Sequence, residues 1–186
     1  MSALNNKPQM FTAFFPSNFW YPEVVSKWEP LVRRMMLPYD TLEDFMNQQI
    51  QQVTFPDINI PIATQERQQY EIGYQHGGEL ETGISKNLTF TFKLTESYLS
   101  YWIIWDQVDR YLHQYNDGTG RTNRPSIYME PVTVGFLADN GIQLMEFTFR
   151  QIVPVSIGSL NLSYSATVAS YNTFTWNLRY NYFDIS

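Results

Sequence analysis

Few side chains in this sequence have the type and spacing that chemistry requires. His76 and His113 are the two imidazoles. Neither stands in the His-Glu-x-x-His spacing that sets two rings on one helix face around a metal, so both read as surface residues. Glu79 with Glu81, and Asp106 with Asp109, are the carboxylate pairs that acid–base work would need. The second pair reads more simply as the solvated side of a helix beside Arg110. Gly77-Gly78 and Gly118-x-Gly120 offer backbone room for a phosphate but lack a following Lys-Ser/Thr and a strand-to-helix setting. The absence of cysteine removes thiolate nucleophiles, disulfides and sulfur-ligated metals together. Asn87-Leu88-Thr89 and Asn161-Leu162-Ser163 match the glycosylation pattern, which carries meaning only in a secreted chain. No catalytic, cofactor-binding or metal-binding residue is expected, and function must come from surfaces.

The elements that build those surfaces centre on residues 87–115. In Leu88-Thr89-Phe90-Thr91-Phe92-Lys93-Leu94 the apolar residues alternate with Thr, Thr and Lys, the period of a strand with one buried face. The period then changes: Tyr98, Leu99, Trp102, Trp105, Val108 and Leu112 recur at three- and four-residue steps, which predicts a helix over 97–115 lying on the sheet by that face. Thr95 or Ser97 can cap its first turn. Upstream, residues 11–15 read as a first strand ended by Pro16. Between Pro16 and Tyr39, Trp20, Tyr21 and Trp28 sit among several prolines. This stretch reads either as an aromatic arm folded on its own domain or as one that docks on a neighbouring subunit, with room for two turns of helix from Glu29 to Met36. Asp40 to Met46 opens a short helix with a cap and acidic residues in the first turn, and a strand over 50–55 follows, stopped by Pro56.

Residues 57–86 are polar and turn-rich, and a loop of that length is usually functional. The alternation of Tyr70, Ile72 and Tyr74 suggests an extended hairpin arm, with Gly77 and Gly78 near its end. Asp139-Asn140-Gly141 between two alternating runs, 127–138 and 142–153, is a strong hairpin signal. Along its second arm Met145, Phe147 and Phe149 face one side while Glu146, Thr148 and Arg150 face the other. A strand with Leu160, Leu162 and Tyr164 is expected next. The closing strand over 173–182 sets Phe174, Trp176, Leu178, Tyr180 and Tyr182 against Thr175, Asn177, Arg179 and Asn181. The fold class is therefore mainly β with one long helix, an antiparallel sandwich or small barrel. The polar faces suit either solvent or a water-filled channel.

The 186 residues suffice for one domain with a real core. Aromatics make up 17% and charged residues 16%, so many rings must be buried in the core or against partners. A net charge of -6 argues against a phosphate-gripping nucleic-acid binder, but not against a surface that lets DNA slide past. The longest apolar run, Tyr98 to Trp105, is interrupted by Ser100 and far short of a membrane span, and no signal peptide or membrane association is expected.

The order of elements resembles the tail tube proteins of bacteriophages and their relatives in contractile injection systems and type VI secretion. The resemblance is carried by Thr148 to Tyr164, a strand leading into a Pro-containing turn and a Gly-x-Leu-x-Leu strand, and by the aromatic closing strand Thr173 to Tyr182. Val53-Thr54-Phe55-Pro56, Asn59-Ile60-Pro61-Ile62 and the strand-helix unit from Leu88 to Leu112 fit the same order. It implies a tube-like β barrel domain over 42–186, preceded by an N-terminal strand and aromatic arm over 1–41. It further implies hexameric rings in which neighbouring sheets join edge to edge around a lumen, in a virion tail, with other tail proteins as partners and DNA passing without specific binding. The resemblance gives the residues their expected roles. Tyr70, Ile72, Tyr74, Gly77 and Gly78 fall in the inter-ring loop; Glu146, Thr148, Arg150, Asn177, Arg179 and Asn181 on a lumen or ring-contact face; Trp20, Tyr21 and Trp28 in the docking arm. The lumen is expected to be acidic and weakly sticky. The long N-terminal region exceeds a minimal tube subunit, which raises a tube-like hub or adaptor ring, as in the short tails of crAss-like phages. A monomeric ligand-binding β barrel is the alternative from a different class.

Overall fold

Alternating Leu88, Phe90 and Phe92 on one strand and Phe174, Trp176 and Leu178 on another place six apolar side chains on one sheet face, all of them buried. The computed structural model describes residues 10–36, 38–55, 62–65, 74–77, 86–115, 128–138, 141–160 and 172–186. Their elements in chain order are β1 (Met10–Phe14), α1 (Pro22–Met35), α2 (Leu42–Gln48), β2 (Ile50–Thr54), β3 (Ile62–Gln65), β4 (Tyr74–Gly77), β5 (Asn87–Lys93), α3 (Leu99–Tyr115), β6 (Val132–Leu137), β7 (Gln143–Arg150), β8 (Val153–Ile157), β9 (Thr173–Arg179) and β10 (Tyr182–Ile185).

Two four-stranded antiparallel sheets result, the first in the order β1-β6-β7-β10 and the second β2-β5-β9-β8, with β3 and β4 pairing separately. This is the sandwich form of the expected fold; among the described residues the sheets do not close into a barrel. Their inner faces share one core. Phe55, just past β2, packs on Phe136, Phe147 and Phe149 of the first sheet, and Tyr180, just past β9, packs on Phe149 and Phe183. Phe15, just past β1, meets Phe90, Phe92 and Trp176 of the second. The β6–β7 hairpin forms as the Asn-Gly signal requires: Leu137 pairs with Gln143, and Gly141 takes φ +79°, the left-handed region that glycine enters without penalty.

Four expectations change. The closing run splits: β9 belongs to the second sheet and β10 to the first, so Tyr182 points outward and is exposed. Pro154 lies within β8, an edge strand where a missing N–H costs no ladder bond, and not in a turn. Leu160 follows β8 outside any strand, while Leu162 and Tyr164 lie outside the described residues. The arm is helical from Pro22, because that proline occupies the first turn where its missing donor is harmless, and Pro30 is tolerated on the exposed side. α1, 14 residues long, therefore joins the 17-residue α3 as a second long helix.

The fifth change concerns α3. Of the six residues expected on its buried face, only Leu99 is buried and Val108 half-buried; Tyr98, Trp102, Trp105 and Leu112 are exposed. The face turned to the core is Leu99, Ile103, Ile104 and Tyr111, with polar Ser100, Asp106 and Gln107 among them. Each polar member has a bonded partner, which is what permits its burial. Ser100 Oγ donates to the Lys93 carbonyl at 3.0 Å, and Thr95 Oγ1 accepts from the Ser100 N–H, the capping role expected of Thr95.

Candidate assembly surfaces

The outward face of the second sheet is built from the polar half of each alternating strand. One row crosses it from edge to edge. Thr54 of β2 stands opposite Thr89 of β5, Thr89 opposite Asn177 of β9, and Asn177 opposite Ser156 of β8. The Thr89 hydroxyl donates to Asn177 Oδ1 at 2.7 Å, and Asn177 Nδ2 donates to Ser156 Oγ at 2.8 Å. Thr91 and Thr175 form a second row. Among the described residues of these strands there is no carboxylate, and the two cations, Lys93 and Arg179, stand at opposite ends of the β5–β9 ladder. Both margins of the sheet, β2 and β8, are open edges among the described residues.

The expected lumen residues do not share this face. Asn177 and Arg179 lie on it. Glu146, Thr148 and Arg150 lie on the outward side of the first sheet, because Phe147 and Phe149 on the same strand point into the sandwich. There Arg150 Nε donates to Asp184 Oδ2 of β10 at 2.6 Å. Asn181 lies on neither face. It follows β9 where the chain crosses between sheets, and its Nδ2 donates at 2.8 Å to Gln151 Oε1, in the neighbouring crossover from β7 to β8. Gln151 adopts φ +55°, a strained value for a non-glycine residue, to make that turn.

The aromatic arm is bound to this chain's own core. Trp20 is buried against Phe15, Phe19 and Trp176. Gln107, wholly buried on α3, accepts from the Tyr21 N–H at 3.0 Å and donates through Nε2 to the Phe19 carbonyl at 2.7 Å. Trp28 Nε1 and Lys27 Nζ both donate to Asp106 Oδ2, at 2.8 and 3.0 Å. Burial alone would raise the Asp106 carboxyl, but these two hydrogen bonds and the charges of Lys27 and Arg110 hold it below its usual value. Burial, then the neighbouring Tyr111 and Glu23, pushes the Tyr21 hydroxyl up to about 12. Asp106 is thus no solvated partner of Asp109, and the arm is folded on its own domain. Its two polar anchors, Asp106 and Gln107, carried no signal in the sequence beyond standing next to each other inside a helical period.

Within the stretch 57–86, expected to reach an adjacent ring, β3 and β4 pair antiparallel, Ile62 opposite Gly77 and Gln65 opposite Tyr74, the last residue of the expected alternation. Tyr70, Ile72 and Gly78 lie outside the described residues.

No family model matches this chain, and no curated protein matches it. Among solved structures it is similar to a chain of the sheath/tube terminator of an extracellular contractile injection system, at TM-score 0.48 and 13% identity over 74% of this chain and 84% of that one. It is similar to a chain of the six-fold symmetrised anti-feeding prophage baseplate, at TM-score 0.47 and 12% identity over 74% and 78%. It is also similar to an Hcp protein, at TM-score 0.38 and 12% identity over 70% and 65%.

Proposed function

We propose that the chain is a structural subunit of a phage-type tail, forming a ring whose inner wall is the polar face of the second sheet. The observation that carries this reading is the hydrogen-bonded row Thr89-Asn177-Ser156, continued by Thr54 to the far margin of a sheet with two open edges. An open edge invites pairing with another chain. Joining β8 of one copy to β2 of the next is a heterologous contact, and such contacts close into a ring when their rotation permits. The resemblance in element order implies six copies. The N-terminal region belongs to this subunit as much as the rest: β1 is a strand of the first sheet and Phe15, Phe19 and Trp20 share the single core. That favours a repeating tube subunit over a hub or adaptor distinguished by a separate arm.

The wall so formed is a hydroxyl and amide surface, in place of the acidic one read from net charge. It would let DNA pass in a virion tail because it has no row of cations to hold phosphates. Electron microscopy of the purified chain with light scattering tests the reading. Rings whose formation is abolished by Val155→Lys on the β8 edge are expected; a wild-type chain that forms no ring at any concentration overturns it.

A further inference from the structure

The backbone just before α3 is not the one its own sequence favours. The Tyr98 N–H donates to the Thr95 carbonyl at 3.0 Å and closes a tight turn. The third residue of that turn, Ser97, lies at φ +64° and ψ 8°, and Tyr98 follows at φ +57°. A type II turn reserves left-handed φ at its third position for glycine or asparagine, and two consecutive side-chain-bearing residues in that region are strained. Thr95, by contrast, already has the extended dihedrals of an N-cap, φ -82° and ψ 165°, and Glu96 after it is the acidic residue that the first turn of a helix favours. The local sequence thus specifies a helix from Glu96, whereas α3 starts at Leu99. Strain of this kind, at odds with local preference, gathers at switch regions.

The left-handed turn is held by bonds around Ser100, which is wholly buried. Its N–H donates to Thr95 Oγ1 at 3.3 Å, and its Oγ donates to the Lys93 carbonyl at 3.0 Å. In a helix begun at Glu96 the Ser100 N–H passes to the Glu96 carbonyl, four residues back, and the Leu99 N–H to the Thr95 carbonyl. Thr95 Oγ1 is then free to cap the Ser97 or Tyr98 N–H. Each bond given up has a replacement within the same six residues, so neither arrangement orphans the Ser100 donor. Ser97 and Tyr98 are both exposed, and neither side chain has to cross the core in passing from one to the other. Lys93 stays in β5 and Leu99 in the core throughout.

We propose that residues 95–98 are a two-state switch, a strained left-handed turn in one state and a right-handed turn that adds Glu96, Ser97 and Tyr98 to α3 in the other. In the second state Tyr98 stands one helical turn before Trp102 and two before Trp105, on the same side of the helix. Trp102 is 43% exposed and Trp105 46%, and the two indoles pack edge to face with centroids 6.1 Å apart. The switch therefore decides whether the aromatic stripe on the outer face of α3 ends at Trp102 or is extended by the Tyr98 ring, and it does so while the helix itself stays seated on the core.

The test is backbone NMR and thermal melting of three chains, with Ser97 retained, Ser97→Gly and Ser97→Val, all in a Val155→Lys background so that edge pairing does not broaden the spectra. Glycine enters the left-handed region without penalty and holds the first state; a β-branched residue is excluded from that region but tolerated in a helical turn, and holds the second. The Tyr98 coupling constant, which reports its φ, and the Ser100 amide shift should differ between the two variants. The chain with Ser97 should fall between them and show microsecond-to-millisecond exchange at these amides. Ser97→Gly should also melt about 2–8 °C higher, the release of one left-handed residue's strain. A Ser97→Val chain that unfolds would show the left-handed turn to be obligatory and overturn the switch. So would Tyr98 remaining left-handed in both variants, or Ser97→Gly melting no higher than its parent. None of these readouts depends on ring formation, so the switch and the ring reading fail separately.

Discussion

Replacing Gln107 by Leu tests whether the N-terminal arm is an integral part of the fold. The side chain is wholly buried, and its amide satisfies two backbone groups of the arm, the Tyr21 N–H and the Phe19 carbonyl. Leu has nearly the same volume, so the change leaves little cavity and isolates the polar loss. A buried group left without its partner costs about 1–3 kcal/mol. The Phe19 bond is buried and the Tyr21 bond partly so, which allows water to recover part of the second. The sum is about 2–4 kcal/mol, or a fall in Tm of about 5–15 °C for a chain of this size. Circular dichroism melts, with tryptophan fluorescence following Trp20 and its neighbours, read both the stability and the site of the loss. Gln107→Glu supplies the pH control. It keeps an acceptor for Tyr21 but turns a carboxylate towards the Phe19 carbonyl, and burial raises its pKa. That variant should be less stable than Gln107→Leu at neutral pH and recover as pH falls and the carboxyl protonates. A Gln107→Leu chain that melts within about 1 °C of wild type would refute the reasoning, since so small a shift is well below the cost of one orphaned bond.

Three further outcomes follow from the same geometry. Asp106→Asn should remove an acid-dependent part of the stability: the carboxyl is held below its usual value, so its contribution is complete above about pH 4 and is lost as pH falls through the lowered folded value. Acid unfolding of wild type and variant should therefore converge at low pH. Tyr21 behaves in the opposite sense. With its hydroxyl raised from 10.0 to about 12, its contribution is complete below pH 10 and is lost between those two values, so Tyr21→Phe should flatten the alkaline limb there. Gly158→Ala should weaken the β8 edge by about 1–3 kcal/mol, measured as a lower urea midpoint. A Cβ there would lie 2.6 Å from Thr175 Oγ1 and 3.1 Å from the Thr175 nitrogen, so adding Thr175→Ala should restore only part of the loss.

The strands were legible in the sequence because each pairs a buried face with a polar one, and a two-residue period survives whatever the sheet packs against. β5 and β9 carry that pattern along their length, and β7 only towards its end, where Phe149 is buried between Thr148 and Arg150. What the pattern could not give was sheet membership. The same alternation runs from Phe174 through Tyr182, yet the chain changes sheets at Asn181, and the signal for the change is the crossover contact between Asn181 and Gln151, which lie far apart in sequence. The residues expected together on one lumen or ring-contact face are split between the two sheets for that reason. Two outward faces on opposite sides of a sandwich have the same local texture, and only the pairing of strands separates them.

The helix α3 misled for a more instructive reason. Two stripes run along it, and the one richer in large aromatic side chains, from Tyr98 through Trp105 to Leu112, is the outer one. The inner stripe includes Ser100, Asp106 and Gln107, which hydropathy counts against burial. They are buried because each serves the backbone or side chains of another segment: Ser100 the end of β5, Asp106 and Gln107 the arm. Those bonds replace water for the polar groups and relieve the helix of the need to bury its best hydrophobes. A helix that can be held in place by its polar residues is free to leave two tryptophans outside. In a monomer that arrangement forgoes stabilisation of about 1.5–3 kcal/mol for each large side chain left uncovered.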